Sequence, residues 1–404
     1  MKPSFFNIVW KLSLISFVAA AFTGFLYRYG MLYPMPDWLN FANIRHAHSH
    51  LMFFNWISPP ILVWFAKSLL QQGSPLPEKG TSWCLYTMLF LGFLSFPFFL
   101  LYGYHSVSIG SLSLPLAAII SGLVMITWYW FAWIYYKHKK TSDGLVSFSL
   151  FEAGLLALII SSLGAWGVSI FQFTDIDSPM VSSAMTHFFL SVFTEGWAVL
   201  GILGMMWHHA EKEKNDIRLS FNTGWLWLPV LFGSMLIFPF SLSQSLVTPA
   251  MHISAKLGLI LIVISLSLNL WLFIKSGVFR GFIWRSVLIL LAIKIVFQLL
   301  AILPTGIWPG EHGLRVLYLH LLLLGFVSFV QFEMFLSESK KFAKILFAVT
   351  VFGVLVSLLF ISGYWPLEWT PPDTYFWVMV LAFLPVVSSF WLLAESLKPK
   401  LRKV

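Results

Sequence analysis

The stretch of sequence that decides the fold reads Arg45-His46-Ala47-His48-Ser49-His50-Leu51-Met52-Phe53-Phe54-Asn55-Trp56. Three of the chain's eleven histidines fall within five residues, and a long apolar run follows them. Ionisable side chains are costly in an apolar environment, so those found there are functional candidates by default. The stretch therefore predicts a membrane helix that carries functional imidazoles near one end.

The composition of the whole chain indicates a membrane protein. Its 404 residues are 59% hydrophobic and 18% aromatic, and the mean hydropathy is +0.84. Only 10% of the residues are charged, whereas a soluble domain has about 25%. The net charge of +9 comes from short clusters between apolar runs, as in membrane loops, so a nucleic-acid partner is not expected. The single cysteine, Cys84, excludes an internal disulfide framework and a multi-cysteine metal site.

Apolar stretches long enough to cross a bilayer recur along the chain. A transmembrane helix needs about 20 mostly apolar residues, and about twelve stretches qualify. No stretch has the composition of a separate soluble domain. We therefore predict an all-α polytopic protein, with residues 1–404 forming a single integral membrane domain. The predicted spans are 7–29, 44–70, 81–102, 106–136, 146–172, 182–207, 222–242, 250–275, 282–303, 313–337, 342–364 and 373–396.

The distribution of basic residues predicts the orientation. Twenty of the twenty-five Lys and Arg residues lie at the two termini or in the even-numbered loops. Because cytoplasmic loops carry the excess of Lys and Arg, both termini of this inner (cytoplasmic) membrane protein are predicted to be cytoplasmic. This topology places eight histidines at the outer ends or outer halves of spans, namely His46, His48, His50, His105, His187, His252, His312 and His320.

Three of the histidine-bearing spans are spaced four helices apart, and His252 opens predicted helix 8 between them. The cluster opens predicted helix 2, His187 lies near the start of helix 6, and His320 lies in helix 10. On a helix, residues four apart share a face, so His46 and His50 can chelate one metal while His48 points the other way. The cluster could serve two sites, or one site and a hydrogen-bonding partner. The alternative is that these histidines are interfacial residues with no function.

The motifs around these histidines resemble a known group of proteins. The arrangement is similar to subunit I of the haem-copper oxidase superfamily, and closer to the NnrS family of twelve-helix membrane proteins. The first two histidines of His46-Ala47-His48 fall on those of the NnrS His-Ala-His-Glu-Met motif. The helix 10 motif of the oxidases, His-x-His-Leu-x-x-x-Gly, is matched from its second histidine onward by Tyr318-Leu319-His320-Leu321-Leu322-Leu323-Leu324-Gly325.

The resemblance implies a haem-copper-oxidase-like bundle that holds a b-type haem between helices 2 and 10. His48, or else His50, and His320 are the implied axial ligands. Arg45 and Arg315, at the outer mouths of these helices, would pair with the haem propionates. Arginines that only anchor the helix ends at the interface are the alternative.

A second metal, copper or non-haem iron, is implied at His46 and His187, and His252 is a further candidate ligand. The chain also departs from the oxidases, because Tyr318 replaces the histidine that ligates their catalytic haem. Predicted helix 7 has no histidine where the oxidases place two copper ligands. These departures argue against a dioxygen-reducing binuclear centre.

Glu195 lies about 12 Å deeper in helix 6 than His187. A carboxylate at this depth is a candidate proton relay, or a protonated acid that only joins two helices. Lys294 lies in the middle of helix 9, with Gln298 one turn further on, and an ion pair between Glu195 and Lys294 is one arrangement that the sequence allows.

The residues thus favour a haem-binding protein of the inner membrane, involved in electron transfer or in handling a diatomic gas such as nitric oxide. If it is an enzyme, it is a haem-dependent oxidoreductase, and a separate cytochrome or another donor would supply electrons. Two alternatives remain. One is a twelve-helix transporter that uses the histidines for metal or proton coupling. The other is a membrane sensor or assembly factor without turnover.

Overall fold

A computed structural model describes residues 3–139, 145–172, 174, 178–214, 219–304, 307–336 and 340–398. Within these ranges, ten helices are long and apolar enough to cross a membrane, which confirms the all-α polytopic fold. Each of the ten coincides with a predicted span. Some of the basic residues behind the orientation prediction lie outside the described residues, namely Lys2, Lys140, Arg218, Lys400, Arg402 and Lys403.

The secondary structure is almost entirely helical. Three segments between consecutive α-helices are π-helical, namely Met52–Ile57, Val192–Ala198 and His320–Val327. The α-helices are α1 Pro3–Tyr29, α2 Phe41–Leu51, α3 Ser58–Gln71, α4 Glu78–Tyr102, α5 Leu116–His138, α6 Val146–Gln172, α7 Pro179–Ser191, α8 Val199–Glu213, α9 Leu228–Leu236, α10 Pro249–Ser276, α11 Phe282–Ile302, α12 His312–Leu319, α13 Ser328–Phe335, α14 Lys341–Phe360 and α15 Thr374–Leu397.

Two predicted spans and one boundary differ from the structure. The predicted span 222–242 is divided into a 3-10 turn, the short helix α9 and a second 3-10 turn, because Pro229 and Pro239 interrupt its hydrogen-bond ladder. The span 44–70 is helical from α2 to α3, but its polar residues leave it outside the ten apolar helices. The predicted span 106–136 starts only at Leu116, because two strands, β1 Val107–Ile109 and β2 Leu112–Leu114, form a hairpin with Gly110 at φ +63°.

The described chain divides into two compact units. The first comprises Met1–Lys139, Phe332–Ser357 and Pro371–Val404, and in it α1 packs against α2 and α15 while α4 packs against α2 and α5. The second comprises Lys140–Gln331 and Leu358–Thr370, and in it α6 packs against α7 and α8 while α10 packs against α9 and α11.

Local sequence signals define the ends of several helices in the second unit. Ser178 and Thr248 precede prolines, and their hydroxyls accept hydrogen bonds from backbone amides in the first turns of α7 and α10. A hydroxyl cap followed by proline at the first helical position is a strong helix start. Helix α10 ends at Ser276 and is followed by Gly277. The φ of Gly277, +63°, is the left-handed conformation that glycine adopts without strain.

The core of the first unit includes a fully buried amide that lies on a glycine. Asn55 is 0% exposed, and its Nδ2 donates to Ser16 Oγ (3.2 Å) and to the Leu89 carbonyl (3.1 Å). A Cβ atom at Gly92 of α4 would lie only 1.7 Å from Asn55 Oδ1. Glycine at this position therefore gives Asn55 the space it needs beneath the histidine cluster.

We expect Gly92→Ala to destabilise the protein, because the added methyl group forces Asn55 out of its buried hydrogen bonds. Overpacking of this kind costs about 1–3 kcal/mol. Gly80→Ala is the matched control in the same helix, since its Cβ would meet Pro77 at an ordinary 3.6 Å. Unfolding by sodium dodecyl sulfate, followed by circular dichroism, measures both variants. Equal stability of the two variants would contradict the expectation.

Candidate functional site

The three π-helical segments lie in the stretches that carry the histidine cluster, His187 and His320. A π-helical turn is rare and is often found at a functional site. His50 lies eight positions before Ser58, and His320 lies eight positions before Ser328. Each serine follows a π-helical segment directly, and its hydroxyl donates to the carbonyl five residues earlier, at 3.1 and 2.8 Å. His50 and His320 therefore occupy the same register relative to their π-helical segments.

His48 lies against helix α1 in the first unit. Its Nδ1 is 2.8 Å from the carbonyl oxygen of Ala20. Because a carbonyl only accepts, Nδ1 carries the hydrogen and Nε2 carries the lone pair that can bind a metal. A Cβ atom at Gly24 would lie 3.1 Å from His48 Cε1, so glycine leaves the imidazole its space. This hydrogen bond to a carbonyl is the usual support of a metal-binding histidine.

His320, in the second unit, has the same kind of support. Its Nδ1 lies 2.7 Å from the carbonyl oxygen of Val316, one turn earlier in α12. The carbonyl again selects the tautomer with the hydrogen on Nδ1, which leaves the Nε2 lone pair as the metal-binding atom. Both predicted axial ligands thus have the tautomer that a haem iron requires.

His46 and His50 face Tyr104, as their spacing predicted. The His50 ring stacks on Phe99 at 3.8 Å, and its Nε2 lies 3.0 Å from the Tyr104 hydroxyl. The His46 ring meets the Tyr104 ring edge-on at 4.9 Å. Burial raises the pKa of Tyr104 to about 12, so its hydroxyl stays protonated beside His50. His48, or else His50, stays the predicted haem ligand on this helix.

A closed network of polar side chains lies in the middle of the second unit. Lys294 Nζ is 2.6 Å from Glu195 Oε2 and 2.8 Å from the Tyr318 hydroxyl. The Tyr318 hydroxyl donates to Glu195 Oε1 at 2.5 Å. Gln298 Nε2 contacts both Glu195 Oε2 (3.3 Å) and the Tyr318 oxygen (3.0 Å). The side chains of Lys294 and Glu195 are 0% and 2% exposed, so this is a fully buried ion pair.

Three elements bring this network together. Glu195 lies in a π-helical segment, Lys294 and Gln298 lie one turn apart on one face of α11, and Tyr318 lies near the end of α12. The structure confirms the pair of Glu195 and Lys294 that the sequence allowed. The contact of Tyr318 with this network was not predicted. In the sequence, Tyr318 stood out only because it replaces a histidine of the oxidase motif. The signal for Gln298 was its one-turn spacing from Lys294.

The network borders a cavity of about 280 Å³ in the second unit. Phe240, Phe297 and Leu259 contribute apolar surface to its wall. Five residues singled out from the sequence also line it, namely His187, Glu195, Gln298, Arg315 and Tyr318. The structure therefore brings the relay candidate and one of the second-metal candidates to the same space.

Comparison with known proteins does not assign this chain to a family. No protein-family model matches it, and no curated protein matches it at a significant level. The likeness to the oxidases and to NnrS rests on the short histidine motifs and on the spacing of the helices, so it stays a prediction.

The remaining predicted site residues have other contacts. His252 packs edge-on against Phe240 (5.5 Å) and Trp308 (6.0 Å), and Arg315 donates to the Ser241 carbonyl at 3.0 Å. Arg45 is exposed on α2.

Among the residues that the structure describes, no three His, Cys, Asp or Glu side chains form a group that could hold a metal ion. The second metal at His46, His187 and His252, and the role of both arginines at the propionates, stay predictions.

Proposed function

We propose that this protein binds a b-type haem in the inner membrane and takes part in electron transfer or in the handling of a diatomic gas such as nitric oxide. A haem between two histidines supplies one-electron chemistry when it is bound. His48 and His320 are the proposed axial ligands. Both termini are proposed to lie in the cytoplasm, and the lipid bilayer surrounds the helices.

The observation that supports this proposal best is that a backbone carbonyl group contacts Nδ1 of each of the two imidazoles. Nδ1 of His48 and Nδ1 of His320 each lie within 2.8 Å of a backbone carbonyl oxygen. Each ring is held in one orientation and one tautomer, with Nε2 as the donor atom. The π-helical segment beside each histidine is a second feature that is common at functional sites.

The protein's own groups would also hold a proton within the membrane. Glu195 accepts hydrogen bonds from Lys294, Gln298 and Tyr318, so its carboxylate is compensated and fixed beside the cavity. An ionisable side chain inside membrane helices is a common member of proton relays. We assign this role to Glu195, with the three partners as positioning residues.

A transporter is the second candidate, and the buried ion pair is the observation that favours it. Paired ionisable residues inside membrane helices often serve as proton relays in transporters. The two proposals differ in one simple respect. The transporter does not need haem, whereas our first proposal does.

We expect the purified protein, produced with ample haem, to be coloured and to show sharp α and β bands in a reduced-minus-oxidised visible spectrum. Two imidazole ligands make the iron low-spin, which is the physical origin of those bands. Haem content is quantified at the same time by a pyridine haemochrome assay. Colourless protein that is otherwise folded would reject the haem proposal and favour the transporter.

A further inference from the structure

The cavity of the second unit is large enough for a small organic molecule. Its volume is about 280 Å³. A cavity of only about 10–15 Å³ is enough to hold one water molecule. Ligand pockets of proteins begin at about 300 Å³, and they combine apolar walls with a few placed polar groups. The cavity lies between membrane helices, so a molecule dissolved in the bilayer is a suitable occupant.

One polar atom at this cavity is an acceptor without a partner. Gln298 is 3% exposed, and its Oε1 has no hydrogen-bond partner among the described residues. The opposite orientation of the amide does not remove the problem, because it would place Oε1 3.3 Å from the carboxylate oxygen of Glu195. Gln298 therefore presents an oxygen that needs an O–H or N–H donor.

A second unpaired atom belongs to the same lining. His187 Nδ1 is buried and has no partner among the described residues. Ser191, one turn further along α7, adds a hydroxyl to the lining. Buried polar atoms are nearly always paired, so two unpaired atoms around one cavity indicate a missing partner.

The charges at the cavity do not call for an ionic ligand. Glu195 and Lys294 compensate each other within the network, and the Arg315 guanidinium donates to the Ser241 carbonyl. An anion would meet the oxygen atoms of Glu195 and Gln298, and a cation would meet the Arg315 guanidinium. A neutral molecule that offers a hydrogen-bond donor avoids both conflicts.

The apolar part of the lining favours an aromatic body for this molecule. Phe240, Phe297 and Tyr318 contribute three rings to the wall, and leucines such as Leu259 and Leu314 complete it. Aromatic rings bind one another in edge-on or offset arrangements. We infer that the cavity binds a membrane-soluble aromatic alcohol, whose hydroxyl donates to Gln298 Oε1 while its ring lies among the apolar side chains.

A pair of nearly identical ligands tests this inference. Para-propylphenol and its methyl ether, para-propylanisole, share the ring and the alkyl chain, but only the phenol can donate a hydrogen bond. Calorimetric titration of the whole protein in nanodiscs, with empty nanodiscs subtracted, gives both affinities. We expect saturable binding of the phenol, about tenfold tighter than that of the ether, since this is the usual effect of one hydrogen bond. Propylhydroquinone shows whether a second hydroxyl adds to the affinity.

Variants of the lining test the place of binding. We expect Gln298→Met to bring the affinities of phenol and ether to within about threefold, because the acceptor is gone. His187→Phe tests the second unpaired atom by the same comparison. Gln244→Met and His208→Phe are matched controls in the same unit, and neither residue lines the cavity. Both controls should keep the full preference for the phenol.

The inference does not depend on the haem of the proposed function. Colourless protein that still prefers the phenol through Gln298 would support this inference and reject the haem proposal. Coloured protein without saturable phenol binding would overturn this inference alone. Equal affinity for phenol and ether in the wild type, or a full preference retained in Gln298→Met, would also overturn it.

Discussion

His320→Ala is expected to abolish the low-spin haem spectrum. The substitution removes the imidazole whose Nδ1 is held by the Val316 carbonyl at 2.7 Å, and the imidazole of His312 lies eight residues earlier in the chain. Loss of only an outer partner of a metal ligand lowers metal affinity by about 10–100-fold, so loss of a ligand should lower haem affinity by at least as much. The reduced α and β bands should disappear, and the bound haem should fall or become high-spin.

A matched histidine provides the control for this experiment. His105 lies outside the spans and is exposed, so His105→Ala should keep the wild-type spectrum and haem content. Reduced-minus-oxidised spectra and haem stoichiometry are measured on both variants at equal protein concentration. An unchanged spectrum in His320→Ala would remove this residue from the site and with it the proposed pair of His48 and His320.

Lys294→Met is expected to cause the largest loss of stability in the second unit. The substitution leaves the carboxylate of Glu195 buried without the ammonium group that now lies 2.6 Å from it. Removal of one partner from a buried ion pair costs about 3–5 kcal/mol, because an uncompensated charge remains in a low-dielectric interior. Unfolding by sodium dodecyl sulfate, followed by circular dichroism, measures the loss.

The double variant Lys294→Met with Glu195→Gln distinguishes charge compensation from packing. With both charges removed, we expect most of the stability to return, since buried ion pairs replaced on both sides are often close to neutral. Lys340→Met is the control for a more exposed pair: Lys340 is 21% exposed and contacts Glu395 at 2.5 Å. It should cost no more than about 1 kcal/mol. A double variant no more stable than Lys294→Met would refute the role of charge.

The faces that the three clustered histidines occupy could be predicted from the sequence. Helical periodicity alone placed His46 and His50 on one face and His48 on the other, and the structure confirms both faces through Tyr104 and Ala20. Periodicity could not choose between His48 and His50 as a haem ligand. The contact of His48 with the Ala20 carbonyl, 28 residues earlier in the chain, likewise could not be predicted from periodicity.

The amino-acid sequence by itself determined the class of the protein, because long apolar runs and the scarcity of charge can be satisfied only by membrane helices. It also identified ten of the spans, whose length and hydropathy are properties of consecutive residues. Two stretches were harder to interpret, since a hairpin at residues 107–114 and the proline-interrupted stretch 222–242 are as apolar as a span.

Only the tertiary structure decided the composition of the site. Lys294, Gln298 and Tyr318 surround Glu195 from positions about 100 residues or more away in the chain, and no local pattern records such contacts. The cavity and the unpaired oxygen of Gln298 likewise exist only once several helices are packed together. Local apolar runs thus determine which segments enter the membrane, while the pairing of buried polar groups depends on distant residues that must be compensated in a medium without water.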